Sequence, residues 1–540
     1  MISDELYDEA EVWEDREAEY AIERPIMPHN PLLAWALTCR AFTEPALDVL
    51  WRYLENPYPI GFAFQPNVQP VFGSDHDESD DENEDGEDHG TNKRVRGYFV
   101  IGFSTIPSAA DWNRFRSRYA KRIRAIEYWD NHKLKYGISP RFLAELTAYR
   151  PSGDLIPNLR SSRWEDENKD VFPFFTLFLT STLTSVTVLF QSNTNAIKFC
   201  HLAQLFTPAL QKVNIVCSSF DTRRAMRTIF TQTLSSWSSL RSFQTTDEAD
   251  VLPMSTEDIM ALSQCNKLQD LDVVLECDLS PAIYAFFTRT NTFISLRKLK
   301  IRFVDSNAGI VPFTTRMVQA IRSQDFQSLN LEIWDTFTSA EIYNLLCAVG
   351  THRRLRSLHL SFSTSIDKDI IIVPNETIEP LFQLSNLVEF DMRGLPLQLG
   401  ITKELLGKMA QSWSNISSLR YHSGLSLASE TASLPPLDIT CLETLANLCP
   451  KLKTLSIPFS STLNGDIIHD FHFLGVYLPA QRASNTVLTL NVAQCAIVSK
   501  MAAALFLTRL YPQLDVSPYR EEWEKKIRLI SQLRRGMYIP

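Results

Sequence analysis

Five segments in the second half of the chain alternate apolar residues with charged or imidazole side chains. One carries two carboxylates, Asp270 and Asp272, and the next carries three cations, Lys298, Lys300 and Arg302. The later segments add His359, Glu389, Asp391, Arg393, Arg420 and His422. Side chains of these types form ion pairs, either with one another or with a charged partner.

The motifs that mark common catalytic and metal sites are missing from the sequence. It contains no G-x-S-x-G, G-x-x-x-x-G-K-[ST], G-x-G-x-x-G, H-E-x-x-H or C-x-x-C. Only 17 glycines are present, which leaves few places for a backbone to cradle phosphate. Residues 81–86 match the opening of a calcium-binding EF-hand loop, but Asn92 stands where a bidentate Glu is required. We therefore expect a non-catalytic protein with neither metal ion nor cofactor.

Charge is distributed unevenly along the 540 residues. Residues 1–90 hold 23 Asp and Glu against four Arg, whereas residues 91–540 hold 40 acidic against 49 basic residues. Ten of the acids lie in residues 74–90, which lack aromatic and branched apolar side chains, so residues 74–92 are predicted to be a disordered insert. Residues 1–29 form an acidic N-terminal segment, and residues 56–107 form a linker around the insert.

The cysteine and hydropathy patterns favour a cytoplasmic or nuclear protein. The nine cysteines are scattered and mostly set among apolar residues, as expected of reduced thiols. No run approaches 18 apolar residues, so a membrane span is not expected.

The basic stretch Arg114–Arg124 could suggest nucleic-acid binding. However, Ser108 and Asp111 have the spacing of a capping box, and a stripe of apolar residues follows, so we place the cations on the solvated face of a helix. The acidic chain carries no recognisable nucleic-acid module, and we expect no nucleic-acid partner.

The body of the chain repeats the pattern apolar-x-x-apolar-x-apolar. Copies begin at Leu183, Leu210, Leu240, Leu268, Leu296, Phe326, Leu355, Leu387, Ile416 and Leu452. Successive copies are 27 to 36 residues apart, and weaker copies begin at Ile123, Leu159 and Leu488. Such a period predicts stacked units of one supersecondary motif.

Each unit is predicted to contain one strand and one helix, because the apolar period changes from 2 to about 3.6 between the strand motifs. Capping boxes at Ser255, Thr338 and Thr440 mark three helix starts. The pattern resembles the leucine-rich repeat family at its longer repeat lengths. The resemblance implies an α/β solenoid with a parallel inner sheet and outer helices over residues 108–515, followed by a C-terminal capping helix at 516–540. The family's usual Asn or Cys after the motif is replaced here, for example by Trp334.

In such a solenoid the side chains between the apolar positions face the concave surface. Two interpretations stay open: a ladder of mutually neutralising charges, or a basic patch for an acidic partner segment. The predicted target-binding residues are Lys298, Lys300, Arg302, His359, Arg420 and His422.

Residues 30–55 pack two short apolar-faced helices, with Thr43 as the predicted cap of the second helix and Pro45 in its first turn. The segment ALTCRAFTEPALDVLW (36–51) resembles the second half of the F-box of fungal F-box proteins that carry irregular leucine-rich repeats. DWNRFRSRYAKRIRAIEY (111–128) and RPSGDLIPNLRSSRW (150–164) are similar to the region that follows it. Residues 1–29 show no counterpart of the family's opening helix.

The resemblance implies a partial, all-α F-box that docks a Skp-type adaptor, which tethers the receptor to a cullin-based ubiquitin ligase. The implied adaptor-binding residues are Leu33, Leu37, Phe42, Leu47 and Trp51. The repeats would then select an unknown target protein. The alternative is a repeat scaffold with a vestigial box, which docks its remaining helices on its own solenoid, and the chain as written could also derive from a truncated gene model.

Overall fold

The structure is a computed structural model of the whole chain. It describes residues 39–73, 98–129, 136–138, 140–165, 172–190, 192–217, 231–234, 236–245, 253–276, 285–287, 292–303, 309–334, 337–363, 371–395, 397–399, 401–423, 437–460, 462–463, 466–467, 488–490, 506–507, 510–511 and 514–516. The chain divides into two compact units, residues 1–160 and 161–540. The predicted domain boundaries stay predictions, and residues 1–38, the insert at 74–92 and residues 517–540 lie outside the described residues.

The first unit mixes helices with short strands. Its elements are α1 (Arg40–Leu50), β1 (Tyr53–Leu54), α2 (Tyr58–Phe62), β2 (Val68–Gly73), β3 (Tyr98–Phe103), α3 (Ala109–Phe115), a π-helical turn (Arg116–Ala120), β4 (Ala125–Trp129), β5 (Tyr136–Ile138) and α4 (Pro140–Tyr149). Strand β1 pairs in parallel with β4, and β3 pairs with β2 and β5. The predicted all-α segment 30–55 therefore also contributes a strand.

The second unit is built on one long parallel sheet. Its strands are β6 (Ser161–Glu165), β7 (Ser185–Phe190), β8 (Lys212–Cys217), β9 (Ser242–Gln244), β10 (Pro253–Met254), β11 (Asp270–Leu275), β12 (Lys298–Phe303), β13 (Ser328–Trp334), β14 (Ser357–Ser363), β16 (Glu389–Leu395), β18 (Ser418–Ser423), β20 (Thr454–Ser456), β24 (Leu488–Leu490) and β25 (Leu514–Val516). Apart from β10, which pairs beside β11, the strands follow one another across the sheet in chain order. This order confirms the predicted repeat solenoid with a parallel sheet.

The strand motif explains where each strand forms. All ten of the strong copies produce a strand that starts two residues after the first apolar position, and all ten of these first residues are buried. Within the strands, burial alternates: in β14, Leu358, Leu360 and Phe362 are buried, while the side chains between them are partly exposed. In-register neighbours such as Leu329 and Leu358 stack the apolar rows from repeat to repeat, which gives the second unit a continuous core.

Helices connect many of the strands and cover the buried side of the sheet. They are α5 (Asn193–Phe206), α6 (Thr256–Ser263), α7 (Ile310–Ala320), α8 (Ser339–Gly350), α9 (Lys403–Ser412) and α10 (Cys441–Leu448). The predicted capping boxes at Ser255 and Thr338 are present, as is the one at Ser108 in the first unit. The predicted cap at Thr440 is wrong, because Thr440 already has helical backbone angles and its N–H donates to Oδ1 of Asp438 at 3.0 Å.

Two connections form 3₁₀-helices where the repeat predicts an α-helix, at Phe172–Phe178 and Asn375–Gln383. In the first, Phe172, Phe175 and Phe178 are buried, and their spacing of three puts them on one face of a helix with three residues per turn. In the second, Pro380 lacks the N–H that an α-helix would need.

Short strands outside the main sheet form three further pairs: β15 (Ile371–Val373) with β17 (Leu397–Leu399), β19 (Leu437–Asp438) with β21 (Phe459–Ser460), and β22 (Thr462–Leu463) with β23 (Asp466–Ile467). None of the described helices is both long enough and apolar enough to cross a bilayer.

Candidate functional site

On β11 to β14, β16 and β18, we call the side chains that alternate with the buried apolar residues the open face of the sheet. They occupy the positions that were predicted to face the concave surface. The register aligns them in rows that run across the strands. One such row contains Asp272, Lys300, Asn330, His359, Asp391 and Arg420. Since neighbouring strands lie about 4.8 Å apart, successive members of a row are close enough to interact.

Asp391 is the centre of a charged cluster on this face. Its side chain is only 4% exposed, and its two oxygens accept hydrogen bonds from Nε and Nη2 of Arg393 at 2.9 and 2.6 Å. Nδ1 of His359 lies 3.6 Å from Oδ2 of Asp391, and Nη1 of Arg420 lies 3.8 Å from the same oxygen. Asp391 thus brings together side chains of three neighbouring strands.

The cluster shifts two ionisation equilibria. Burial works to raise the pKa of Asp391, but the His359 ring and the Arg393 guanidinium outweigh burial and lower this pKa to about 2. The pKa of His422 is lowered by burial and by the charge of Arg393, so its ring is neutral at pH 7. The carboxylate is therefore fixed as an acceptor at physiological pH.

The cations of β12 are paired unequally. Nζ of Lys300 lies 3.3 Å from Oδ2 of Asp272, the neighbour that the register predicts. Lys298 and Arg302 make no ion pair with any residue that the structure describes, and the buried Nε of Arg302 has no hydrogen-bond acceptor there. Among the described residues, mutual neutralisation therefore applies to Lys300 and not to Lys298 or Arg302.

Sequence reasoning missed one residue of the open face, Trp334. This side chain ends β13 and is 55% exposed, although most other large apolar side chains of the second unit are buried. Its neighbour in register on β14 is Ser363. The available signal was a tryptophan at the position where leucine-rich repeats usually carry Asn or Cys.

Helix α1 is held within the first unit by ionic contacts. Helix α1 begins at Arg40, so the prediction that Thr43 caps this helix is wrong. The Oγ1 hydroxyl of Thr43 instead donates to the Cys39 carbonyl at 3.2 Å. The guanidinium of Arg122 is buried and pairs with Glu44 and Asp48 on α1. This placement corrects the prediction that the cations of Arg114–Arg124 all lie on a solvated face.

Aromatic and backbone contacts extend the attachment of this segment. The rings of Trp51 and Tyr119 have centroids 4.4 Å apart, and β1 continues the chain into its parallel pairing with β4. Among the other implied adaptor-binding residues, Leu47 is half-buried and Phe42 is 51% exposed. Leu33 and Leu37 lie outside the described residues.

The described residues show no group of three or more His, Cys, Asp or Glu side chains that could hold a metal ion. Six cysteines in this part of the chain form no disulfide bond. Burial raises the pKa of Cys265 to about 11 and that of Cys449 to about 12, so these thiols stay protonated and unreactive.

No protein-family model matches the chain, and no curated protein matches it. Among solved structures, a chain of the yeast Rad7 and Elc1 complex is 13% identical, with 64% of this chain and 81% of that chain covered and a TM-score of 0.33. A chain of the mouse RP105/MD-1 complex is 12% identical, with 75% and 70% covered and a TM-score of 0.31. At these scores neither likeness carries an argument about function, and the α/β repeat fold rests on the strand order and register described above.

Proposed function

We propose that this protein is a non-catalytic receptor that binds a target protein through the open face of its repeat sheet. The observation that carries the proposal is the combination, on one face of the sheet, of an ionic cluster around Asp391, two cations that have no ion pair among the described residues, and an exposed tryptophan. Exposed aromatic and arginine side chains provide much of the binding energy at protein interfaces. The proposed target-binding residues are Lys298, Lys300, Arg302, His359, Arg420 and His422, with Trp334 added.

We further propose that the receptor acts as the substrate-recognition subunit of a cullin-RING ubiquitin ligase of the F-box type, in the cytoplasm or nucleus. Support comes from the resemblance of residues 36–51 to an F-box half and from helix α1 in that segment. Leu33, Leu37, Phe42 and Leu47 would contact the Skp-type adaptor. Trp51 would support α1 through Tyr119. The six described cysteines form no disulfide bond, which suits a reducing compartment.

A second candidate is a repeat scaffold with a vestigial box and no ligase partner. The specific observation in its favour is the intramolecular attachment of α1, which Arg122 and the Trp51–Tyr119 contact hold against the first unit. In this case α1 would serve only to complete that unit.

Binding of the purified chain to a Skp-type adaptor separates the two candidates. If the ligase role is correct, the wild type binds the adaptor, and the double change Phe42→Ala, Leu47→Ala weakens binding by roughly a thousandfold, at about 2 kcal/mol for each anchor. Ile106→Ala is a matched control, because it truncates another exposed apolar side chain of the first unit. A wild type that does not bind the adaptor would refute the ligase role and leave the scaffold.

The open face is tested separately by replacing Lys298, Lys300 and Arg302 with Glu. We expect the triple variant to lose the target that the wild type retains, with an unchanged circular dichroism spectrum. Unaltered retention would contradict the assignment of these three residues to target binding.

A further inference from the structure

The carboxyl ends of the central strands bring an exposed aromatic ring close to cations. Trp334 lies beside Ser363 in register, and the row below it contains Arg302, Glu332, Ser361 and Arg393. Ser361 and Ser363 are small and partly exposed, so their own side chains cover little of the sheet face next to the indole. We call Trp334, Ser361, Ser363, Arg302 and Arg393 the Trp334 site.

Charge on the open face changes from one end of the strands to the other. Across β11 to β18, the row through Lys298 holds one cation and two carboxylates, while the row through Arg302 holds two cations and one carboxylate. The end of the sheet that carries Trp334 is therefore the more positive one. An acidic segment would be favoured at this end and disfavoured at the other.

Arg302 is the cation best placed to receive an outside carboxylate. Its side chain is partly exposed, and it makes no ion pair within the described residues. Arg393 has a different state, because Asp391 already accepts from two of its N–H groups, although 53% of its side chain is exposed. A carboxylate that reached the guanidinium of Arg302 would pair with a cation that has no ion pair among the described residues, and such charge-assisted bonds are among the stronger polar contacts.

The register also sets the spacing of a matching ligand. Arg302 is the in-register neighbour of Glu332, which precedes Trp334 by two residues. One strand spacing and two residues along a strand separate the Cα atoms of Arg302 and Trp334 by about 8 Å. Two residues of an extended peptide span about 7 Å.

We propose that the Trp334 site binds an extended segment of the partner protein in which a large apolar side chain and a carboxylate are two residues apart. The apolar side chain packs on the Trp334 ring above the serines, and the carboxylate accepts hydrogen bonds from Arg302. The inference rests on the proposed function, since it gives the chemical class of the target segment.

The test uses a phage-displayed library of random linear peptides, selected on the full chain. The enriched peptides should carry an aromatic or large aliphatic residue with Asp or Glu two positions away. A labelled copy of an enriched peptide is then titrated by fluorescence anisotropy. We expect Trp334→Ala to weaken binding by about 30-fold and Arg302→Gln by about tenfold. Tyr343→Ala is the matched control, because it removes an exposed aromatic ring from α8 and should leave the affinity unchanged.

A synthetic peptide of residues 74–90 tests whether negative charge alone is enough for binding, because it contains ten acids and no aromatic residue that could pack on Trp334. It should bind at least tenfold more weakly than the enriched peptides. Equal binding would overturn the proposal in favour of a purely electrostatic site that this chain's own segment can occupy.

Three other results would also overturn the proposal: the selection enriches no peptide, it enriches basic peptides, or Trp334→Ala binds the enriched peptide as tightly as the wild type does. Loss of adaptor binding is a separate outcome that concerns only the ligase role. If the adaptor binds and the peptide affinities are unaffected by Trp334→Ala, the further inference alone fails.

Discussion

The substitution Asp391→Asn tests the ionic cluster of the open face. The carboxylate is held at a pKa of about 2, against an ordinary value of 3.8. A tenfold change in an ionisation constant corresponds to about 1.4 kcal/mol, so the ionised Asp391 stabilises the folded state by about 2 kcal/mol. The change also leaves Arg393 and Arg420 close together without their shared counter-charge. We therefore expect the variant to lose at least about 2 kcal/mol of unfolding free energy at pH 7.

The pH dependence has a defined sign. Because the folded-state pKa lies below the unfolded-state pKa, the contribution of Asp391 is fully present above about pH 4 and is lost as the pH falls through about 2. Urea titrations of wild type and Asp391→Asn at a series of pH values measure it. The difference between the two proteins should be constant near neutral pH and should shrink between about pH 4 and pH 2.

A matched control is Asp325→Asn, which removes an ion pair with Arg354 at 3.0 Å in which both side chains are more than half exposed. Exposed pairs of this kind contribute at most about 1 kcal/mol. If Asp391→Asn costs no more than this control, or if its cost is the same at pH 2 as at pH 7, the stabilising role of the cluster is refuted.

Three further predictions concern stability. Thr338→Ala should lower the free energy of unfolding by about 1 kcal/mol in a urea titration, because it removes a side-chain cap. Thr440→Ala should lower it much less, because the Thr440 side chain caps no helix. Equal losses would contradict this assignment of caps. Gly394→Ala should destabilise the second unit strongly, because its added Cβ would lie 2.6 Å from a carbonyl oxygen of the neighbouring strand. The control Gly407→Ala in helix α9 has open space for its Cβ and should stabilise the protein by about 0.5 to 1 kcal/mol. An unchanged stability of Gly394→Ala would refute this packing. Deletion of Ser74–Gly90 should leave the melting temperature within a few degrees of the wild type, and a larger fall would show that the insert contributes to the folded state.

The repeat fold was predictable because its determinants are local in sequence. Each strand motif places three apolar side chains on the buried side, and Leu358 and Leu360 lie where their spacing requires. Caps at Ser255 and Thr338 were predictable for the same reason, since donor and acceptor are three residues apart. Thr440 shows the limit of this reasoning, because Asp438, two residues earlier, takes over the capping.

The candidate site was only partly predictable. Alternation along the strands gave the side chains of the open face, and the contact between Asp272 and Lys300 follows from neighbouring repeats. The sequence could not show which of several nearby residues each charged side chain would contact. Arg393, for example, donates to Asp391 of its own strand. The burial of Arg122 could not be predicted either, because its carboxylate partners lie more than 70 residues away in the sequence.

The position of Asp391 has a consequence for how the repeats unfold. In a repeat protein, cooperativity arises from the interfaces between neighbouring units, and a unit with weak interfaces frays alone. Asp391 on β16 contacts His359 on β14 and Arg420 on β18, so one carboxylate contributes to two successive interfaces. These three repeats therefore gain a common coupling energy, and we expect them to open as a single unit rather than one after another.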